Sequence, residues 1–169
     1  MAATTSSAKV SAVKATAAPK VRKPSLDVGN PLSLYRASPI EQITLIKTGI
    51  PATAFSRLAV HMNMPKDRLA SVLGLPRATI NRKVSGNKPL SPDEGSRVMG
   101  MARLVGQVQA MVEESGRPEG FNAAQWVAQW LDRPLPALDG RAPKELMDTA
   151  EGQSLVSNLV ARMQSGAYA

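Results

Sequence analysis

Residues 66–84 constrain the fold more than any other stretch, because a glycine and a proline separate two short helical patterns. Before the break, apolar side chains recur at helical spacing, at Leu69, Val72 and Leu73. Gly74 follows at once, and glycine readily takes the left-handed conformation in which many helices end. Pro76 suits the first turn of a new helix, where no backbone N–H is needed. The sequence therefore predicts two helices joined by a tight turn, with Leu75 in the angle between them.

The second of these helices, predicted over residues 77–84, has an apolar side and a polar side. Ile80 and Val84 are spaced to face inward, which turns the other side chains outward. In a helix-turn-helix the second helix enters the major groove of DNA. We therefore expect base contacts from Arg77, Ala78, Asn81 and Arg82, and phosphate contacts from Lys83, Asn87 and Lys88. An ordinary helical hairpin with a solvated basic face would give the same pattern.

Charge is distributed unevenly along the 169 residues. Residues 1–100 contain 15 lysines and arginines against 5 acidic residues, whereas residues 101–169 contain 6 against 8. A basic half is typical of proteins that bind nucleic acid. The second half has no such bias, and we expect it to contact protein.

The chain divides into three parts. Residues 1–30 are rich in alanine, serine, threonine and lysine and cannot close a core, so they predict a flexible basic arm. This arm could follow a phosphate backbone or serve only as a solubilising tail. Residues 31–115 are predicted to form a region built around the helix-turn-helix, and residues 116–169 a second helical region.

Helix signals recur along the chain and no stretch alternates as a strand would, so an all-α fold is predicted. Ser38-Pro39-x-Glu41 and Ser91-Pro92-x-Glu94 are capping boxes with proline at the first helical position. The first box starts a helix that ends at Gly49, with its apolar side at Ile40, Ile43, Leu45 and Ile46. The second starts the longest helix, over residues 92–115, with its inward side at Val98, Met101, Val105, Val108 and Val112.

Four further helices are predicted. Pro51 opens a helix whose core positions are Phe55, Leu58, Ala59 and Met62. Asn122 caps a short helix with Trp126, Val127, Trp130 and Leu131, and Pro143 begins another short one. Thr149 caps the last helix, over residues 150–165, whose apolar stripe is Leu155, Val156, Leu159, Val160 and Met163.

The residue types that enzymes need are scarce. There is no cysteine, and the single histidine, His61, lies in an amphipathic helix without a second metal ligand nearby. No P-loop and no dinucleotide fingerprint is present. We therefore expect no enzymatic activity, no cofactor and no metal. The chain has no apolar run of membrane-spanning length and no secretory signal, so we expect a cytoplasmic protein.

The second half contains short motifs in a fixed order. They read Trp130-Leu131-x-x-Pro134-x-x-Ala137-Leu138-x-Gly140-Arg141-x-Pro143-x-x-Leu146-x-Asp148-Thr149-x-x-Gly152, ending in Gly166-Ala167-Tyr168-Ala169. This order closely resembles the toxin-binding domain of the Xre/MbcA/ParS antitoxins. In the first half, Thr48-Gly49-Ile50-Pro51, the helix-turn-helix and Leu90-Ser91-Pro92-Asp93-Glu94 match the same family in order. The resemblance therefore covers residues 40–169.

The resemblance implies an antitoxin of a bacterial type II toxin–antitoxin pair, with residues 116–169 as its toxin-binding domain. Its partner would be a RES-domain toxin that acts on NAD, either degrading it or using it for ADP-ribosylation. The resemblance also implies a dimeric repressor that binds the operator of its own operon, so that residues 31–115 would serve DNA binding and dimerisation. A stand-alone helix-turn-helix regulator and a pure protein inhibitor with a degenerate DNA-binding motif are the alternatives.

A few positions depart from the pattern of the family. Asp139 stands where a second glycine is more common, Gly95 replaces a common serine, and Asp132-Arg133 replaces a common Arg-Thr-like pair. Pro76 takes the place of a serine or threonine cap, and Lys83 lies near a usually apolar position. These departures bear on which toxin is bound and on whether DNA binding is retained.

Candidate toxin contacts lie in the loop before the last helix and at the carboxyl terminus. Arg141, beside the permissive Gly140, can make a bidentate contact with a carboxylate or with backbone carbonyls. Arg141 and Asp148 could equally tie this loop to its neighbouring helix. The tail can do little for the fold, and we hypothesise that it covers or plugs the NAD cleft of the toxin together with the last helix. The predicted toxin contacts are Arg141, Asp148, Arg162, Ser165, Gly166, Ala167, Tyr168 and Ala169.

Overall fold

The computed structural model of the chain describes residues 27–116 and 119–164, and these residues form eight α-helices and two short 3-10 helices. The α-helices are α1 Pro31–Arg36, α2 Pro39–Thr48, α3 Thr53–His61, α4 Lys66–Val72, α5 Arg77–Ser85, α6 Pro92–Glu114, α7 Ala123–Trp130 and α8 Ala150–Gln164. The 3-10 helices are Pro136–Leu138 and Pro143–Leu146. Apart from one isolated bridge between Pro51 and Pro89, the described residues contain no β-structure. The all-α prediction is confirmed.

The long helix α6 is the centre of the fold. It packs against α1, α2, α7 and α8. The four inward positions predicted nearest its middle are buried, namely Val98, Met101, Val105 and Val108. Helix α1 approaches α6 closely at Gly106. A Cβ at this position would overlap the carbonyl group of Pro31, so the contact requires glycine. Helices α1, α2, α7 and α8 are thus positioned by direct contact with α6.

The predicted caps fix where the helices start. In each capping box the serine hydroxyl accepts the N–H of the glutamate, while the glutamate carboxylate accepts the serine N–H. The Asn122 side chain accepts the N–H of Gln125 at 3.0 Å. The Thr149 hydroxyl accepts the N–H of Gly152 at 3.1 Å. These local signals were sufficient to predict the helix starts from the sequence.

The predicted inner side of α2 is wrong. Ile40 is 71% exposed and Ile43 is 46% exposed, whereas the polar Gln42 is buried. The Gln42 amide Nε2 donates to the carbonyl oxygens of Leu34 at 3.0 Å and Ala37 at 2.9 Å. A buried polar group needs such partners. The helix therefore turns its amide inward to the α1–α2 connection, which leaves two isoleucines outside.

The apolar stripe of α8 is narrower than predicted. Val156, Leu159 and Val160 are buried, as predicted, but Leu155 and Met163 are exposed. Only one side of α8 is covered, because its main helical neighbour is α6. The stripe prediction assumed a wider contact than one helix can provide.

The described end of the predicted arm packs onto the folded part. Val28 is buried at 3% exposure. The Asp27 carboxylate accepts a hydrogen bond from the Arg57 guanidinium at 2.9 Å. Residues 1–26 of the arm lie outside the described residues.

Candidate nucleic-acid and protein interfaces

The turn between α4 and α5 is held by side chains from outside the two helices. Gly74 has φ +61°, and a Cβ built on it would come within 2.9 Å of the Asp148 Cβ. The Arg97 Nη1 atom on α6 donates to the carbonyl oxygens of Leu73 at 3.3 Å and Gly74 at 3.0 Å. Leu75 is buried between the helices. The predicted helix–turn–helix geometry is confirmed, with Pro76 just before the first residue of α5.

The outer face of α5 is open to a partner. Arg77, Ala78, Asn81 and Arg82 are all exposed. Within the described part of the chain, none of their side chains forms a hydrogen bond or ion pair. Two guanidinium groups and one amide with unused donors can read base edges in the major groove. Their contact with DNA stays a prediction.

The three predicted phosphate-binding residues fall into two environments. Asn87, with φ +48°, and Lys88 are exposed in the loop after α5. The Lys83 side chain is only 20% exposed, and its Nζ lies 2.5 Å from the Glu94 Oε2 atom on α6. Asn87 and Lys88 are therefore available to a phosphate, whereas Lys83 already has a carboxylate partner inside the protein.

The loop between α7 and the second 3-10 helix is closed by its own backbone. The Leu135 N–H donates to the Arg141 carbonyl at 3.0 Å, and the Gly140 N–H donates to the Leu135 carbonyl at 3.1 Å. Asp139 and Gly140 are consecutive left-handed residues, with φ +53° and +79°. Asp139 thus adopts the conformation for which glycine is favoured, and aspartate tolerates it better than most residues. The departure from the family pattern at this position leaves the loop intact.

Arg141 is exposed at the edge of this loop. No other described residue pairs with its guanidinium, so among the described residues nothing supports the reading in which Arg141 ties the loop to a helix. A free guanidinium can take a carboxylate or two carbonyls of a partner.

The other predicted toxin contacts are placed differently. Asp148 lies against the helix-turn-helix turn at Gly74, which favours a packing role. Arg162 is exposed in the last turn of α8. Ser165, Gly166, Ala167, Tyr168 and Ala169 lie outside the described residues.

An ion cluster that the sequence analysis missed joins the two halves of the chain. The Asp132 carboxylate, just after α7, accepts hydrogen bonds from the Arg68 guanidinium on α4 and from Lys144 Nζ at 3.1 Å. Partial burial acts to raise the pKa of Asp132, but the two cations outweigh it and hold the pKa below its usual value. The departure from the family pair at Asp132-Arg133 was the one sequence signal that could have indicated this cluster.

Helix α8 is fixed to α6 by polar side chains as well as by its apolar stripe. The Gln107 Nε2 atom donates to the Ser157 carbonyl at 3.0 Å, and the Ser157 hydroxyl donates to Gln107 Oε1 at 2.7 Å. The Gln153 Nε2 atom donates to the Arg97 carbonyl at 3.1 Å and to the Met147 carbonyl at 2.9 Å. Helix α8 is therefore held along α6 up to its described end, where Gln164 Nε2 donates to Glu114 Oε2 at 3.0 Å.

The part of the chain that the structure describes offers neither a metal-binding cluster nor a membrane-spanning helix. No group of three or more histidine, cysteine, aspartate or glutamate side chains there could hold a metal ion. Every helix within residues 27–116 and 119–164 is too short or too polar to span a bilayer.

The chain matches two family descriptions in succession. Residues 41–103 match the antitoxin Xre-like helix-turn-helix domain. Residues 119–166 match the antitoxin Xre/MbcA/ParS carboxyl-terminal toxin-binding domain. The two matches cover the helix-turn-helix with the first part of α6, and then α7, the loop and α8.

Individual proteins are similar over most of the chain. A protein of Sphingobium sp. (strain YBL2) named Prs ADP-ribosylating antitoxin is 46% identical over 137 residues, which are 81% of this chain and 86% of that protein. A protein of Yersinia enterocolitica named Antitoxin Xre is 25% identical over 73% of this chain and 78% of its own length. A protein of the same name from Photorhabdus laumondii is 24% identical over 72% of this chain and 77% of its own length.

Proposed function

Because the chain belongs to the Xre/MbcA/ParS family of antitoxins, we propose that it neutralises a RES-domain toxin and represses its own operon as a dimer. It is an antitoxin of a toxin–antitoxin system, with a helix-turn-helix domain and a toxin-binding domain. Its similar proteins are named antitoxins, which suggests a regulatory rather than an enzymatic role. We assign residues 31–115 to DNA binding and dimerisation and residues 116–169 to toxin binding.

The open outer face of α5 is the observation that carries the DNA half of the proposal. Arg77, Asn81 and Arg82 lie on one exposed face, and their side chains have no partner among the described residues. They read base edges, and Asn87 and Lys88 contact phosphates. Since helix-turn-helix dimers bind half-sites about one helical turn apart, we expect a two-part footprint on the operator.

A titration of the sequence upstream of the gene tests the DNA half. Arg82→Ala should weaken operator binding by about 5- to 150-fold, the equivalent of one lost bidentate base contact. Arg103→Ala is the matched control, because Arg103 is an exposed arginine that lines the groove between α2, α6 and α8 instead. Equal affinities for the two variants would remove α5 from the interface.

The free Arg141 on the rigid loop supports the toxin half of the proposal. Arg141 contacts a carboxylate or carbonyls of the toxin, and α8 delivers residues 165–169 to the NAD cleft. The name of the Sphingobium relative contains the term ADP-ribosylating, which accords with a toxin that uses NAD. The antitoxin protects by covering this cleft.

Co-expression with the adjacent gene tests the toxin half, with growth and cellular NAD as the two readouts. The full chain should restore both. A chain that ends at Gln164 should remain folded but protect poorly, and Arg141→Ala should weaken protection. Arg82→Ala provides a matched control, since the Arg82 side chain is also exposed and unpaired among the described residues but lies on α5, outside residues 116–169. Full protection by the shortened chain would rule out the plug.

A further inference from the structure

Lys83 differs from the other cations of α5. It lies in the last turn of the helix beside Arg82, yet its side chain points back to α6 while that of Arg82 is exposed. Its Nζ lies 2.5 Å from Glu94 Oε2, and the two side chains are 20% and 11% exposed. A lysine in this position cannot reach a phosphate without leaving Glu94 uncompensated, and an uncompensated buried charge is strongly unfavourable.

Glu94 is itself held in place. Its Oε2 atom also accepts the Ser91 N–H at 2.7 Å, and its own N–H donates to the Ser91 hydroxyl at 3.3 Å. Burial acts to raise the pKa of Glu94, but hydrogen bonds from Lys83 and Ser91 outweigh it and keep the pKa below its usual value. The carboxylate is therefore oriented by the capping box at the start of α6 as well as by Lys83.

A second contact from the same part of α6 holds the other end of α5. Arg97, one turn after Glu94, binds the Leu73 and Gly74 carbonyls in the turn before α5. Its Nη2 atom pairs with Asp93 at 2.9 Å, which orients the guanidinium. The beginning of α6 thus contacts the helix-turn-helix at the turn and at the end of α5.

We propose that Lys83 is a positioning residue and not a phosphate contact, and that Glu94 acts through it to set the angle of α5 in the major groove. The inference rests on the proposed operator binding. The pair orients Arg77, Asn81 and Arg82 as a group, because all of them lie on the same short helix. This positioning role replaces the phosphate contact that was predicted for Lys83.

Whether Glu94→Gln lowers or raises operator affinity distinguishes a positioning role of Glu94 from a purely electrostatic effect of its charge. Glutamine also completes a capping box, so the start of α6 is preserved. The substitution removes a negative charge near the DNA, which by electrostatics alone strengthens binding. If Glu94 positions α5, operator affinity falls by about tenfold, as for one misaligned base contact. Affinity for unrelated DNA stays within about twofold.

The salt dependence of operator binding tests Lys83 itself. Lys83→Met should weaken operator binding to the same extent as Glu94→Gln and leave the slope of log K against log salt unchanged. The control Lys88→Met, at an exposed lysine, should reduce that slope by about one, as expected for a lost phosphate contact. The double variant Lys83→Met/Glu94→Gln should bind no more weakly than either single variant, since both substitutions remove one interaction.

Three results would overturn the inference. Tighter operator binding by Glu94→Gln would mean that the charge of Glu94 affects the operator more than any positioning of α5 does. If Lys83→Met reduced the slope of log K against log salt by about one, Lys83 would be a phosphate contact. A wild-type chain that does not prefer its operator over unrelated DNA would overturn the proposed function and this inference together, whereas the first two results leave the proposed function standing.

Discussion

The helix-turn-helix and the toxin-binding region each contain an ion pair, but the two pairs lie at different depths. In the first, Lys83 and Glu94 are 20% and 11% exposed. In the second, Lys144 and Asp132 are 43% and 37% exposed. The first pair links α5 to α6 in a largely buried position, whereas the second lies in a solvated junction between the two halves. The two pairs have the same charges and similar distances, but water screens the exposed pair more strongly than the buried one.

The two regions resemble each other in their unpaired cations. Arg82 on α5 and Arg141 in the loop after α7 are both exposed, and their side chains have no partner among the described residues. Each lies close in sequence to a paired lysine. In each region one cation is paired inside the protein and a neighbouring one is left exposed.

The largest expected difference concerns two glycines in left-handed conformations. Gly74→Ala should destabilise the fold by about 3 kcal/mol, since it combines left-handed strain of about 1–2 kcal/mol with a clash. The clash arises because the new Cβ would lie 2.9 Å from the Asp148 Cβ and 3.1 Å from Arg97 Nη1. Gly140→Ala should cost only the strain, about 1 kcal/mol, because nothing lies within 4 Å of the corresponding Cβ. Urea unfolding of both variants measures the difference, and equal losses would show that the contact between Gly74 and Asp148 can relax to accept a methyl group.

The next largest difference concerns the two ion pairs. Glu94→Gln should reduce the free energy of unfolding by about 2 kcal/mol, less than for a fully buried pair because Lys83 keeps some solvent. Asp132→Asn should reduce it by at most about 1 kcal/mol, since all three members of its cluster are more than a third exposed and screened by water. Urea unfolding at neutral pH gives both values. A larger loss of unfolding free energy for Asp132→Asn than for Glu94→Gln would show that burial does not make the Lys83–Glu94 pair the stronger one.

A smaller effect is expected on acidification. The pKa of Glu94 in the folded chain lies below the usual 4.5, so folding favours the ionised form. Its contribution is therefore complete above pH 4.5 and is lost as the pH falls through the lowered pKa. The stability gap between wild type and Glu94→Gln should narrow between pH 7 and about pH 3. A gap that is independent of pH would show that the charge of Glu94 is not what stabilises the pair.

The smallest effect is expected from salt. Raising salt from about 0.1 M to about 1 M should abolish most of the loss caused by Asp132→Asn, because exposed charges are screened. The loss caused by Glu94→Gln should persist, since buried pairs are screened much less. Unfolding curves of the two variants at both salt concentrations provide the measurement. Parallel salt responses would place the two pairs in the same environment.

Features that depend on neighbours in sequence were predicted correctly. Gly74 and Pro76 mark the turn, and the two Ser-Pro-x-Glu boxes mark the starts of α2 and α6, because capping partners lie three residues apart. The exposed face of α5 followed from helical spacing alone. These signals define the helices but not what surrounds them.

Features that depend on distant neighbours were missed. Arg68 and Asp132 are 64 positions apart, and Lys83 and Glu94 are on different helices. The sequence shows that Lys83 is a cation, but only the packing of α6 shows that its charge is used internally. The exposure of Ile40 likewise follows from the need of Gln42 for carbonyl partners, which no spacing rule contains.

The division of labour between the two regions is tested most directly by measuring operator affinity and rescue from the adjacent toxin for the same two variants. Arg82→Ala should lose about tenfold or more in operator affinity and still restore growth. A chain that ends at Gln164 should bind the operator as tightly as the full chain and fail to restore growth. If either variant lost both activities, or if neither variant lost any, the separation of DNA binding from toxin binding would be contradicted.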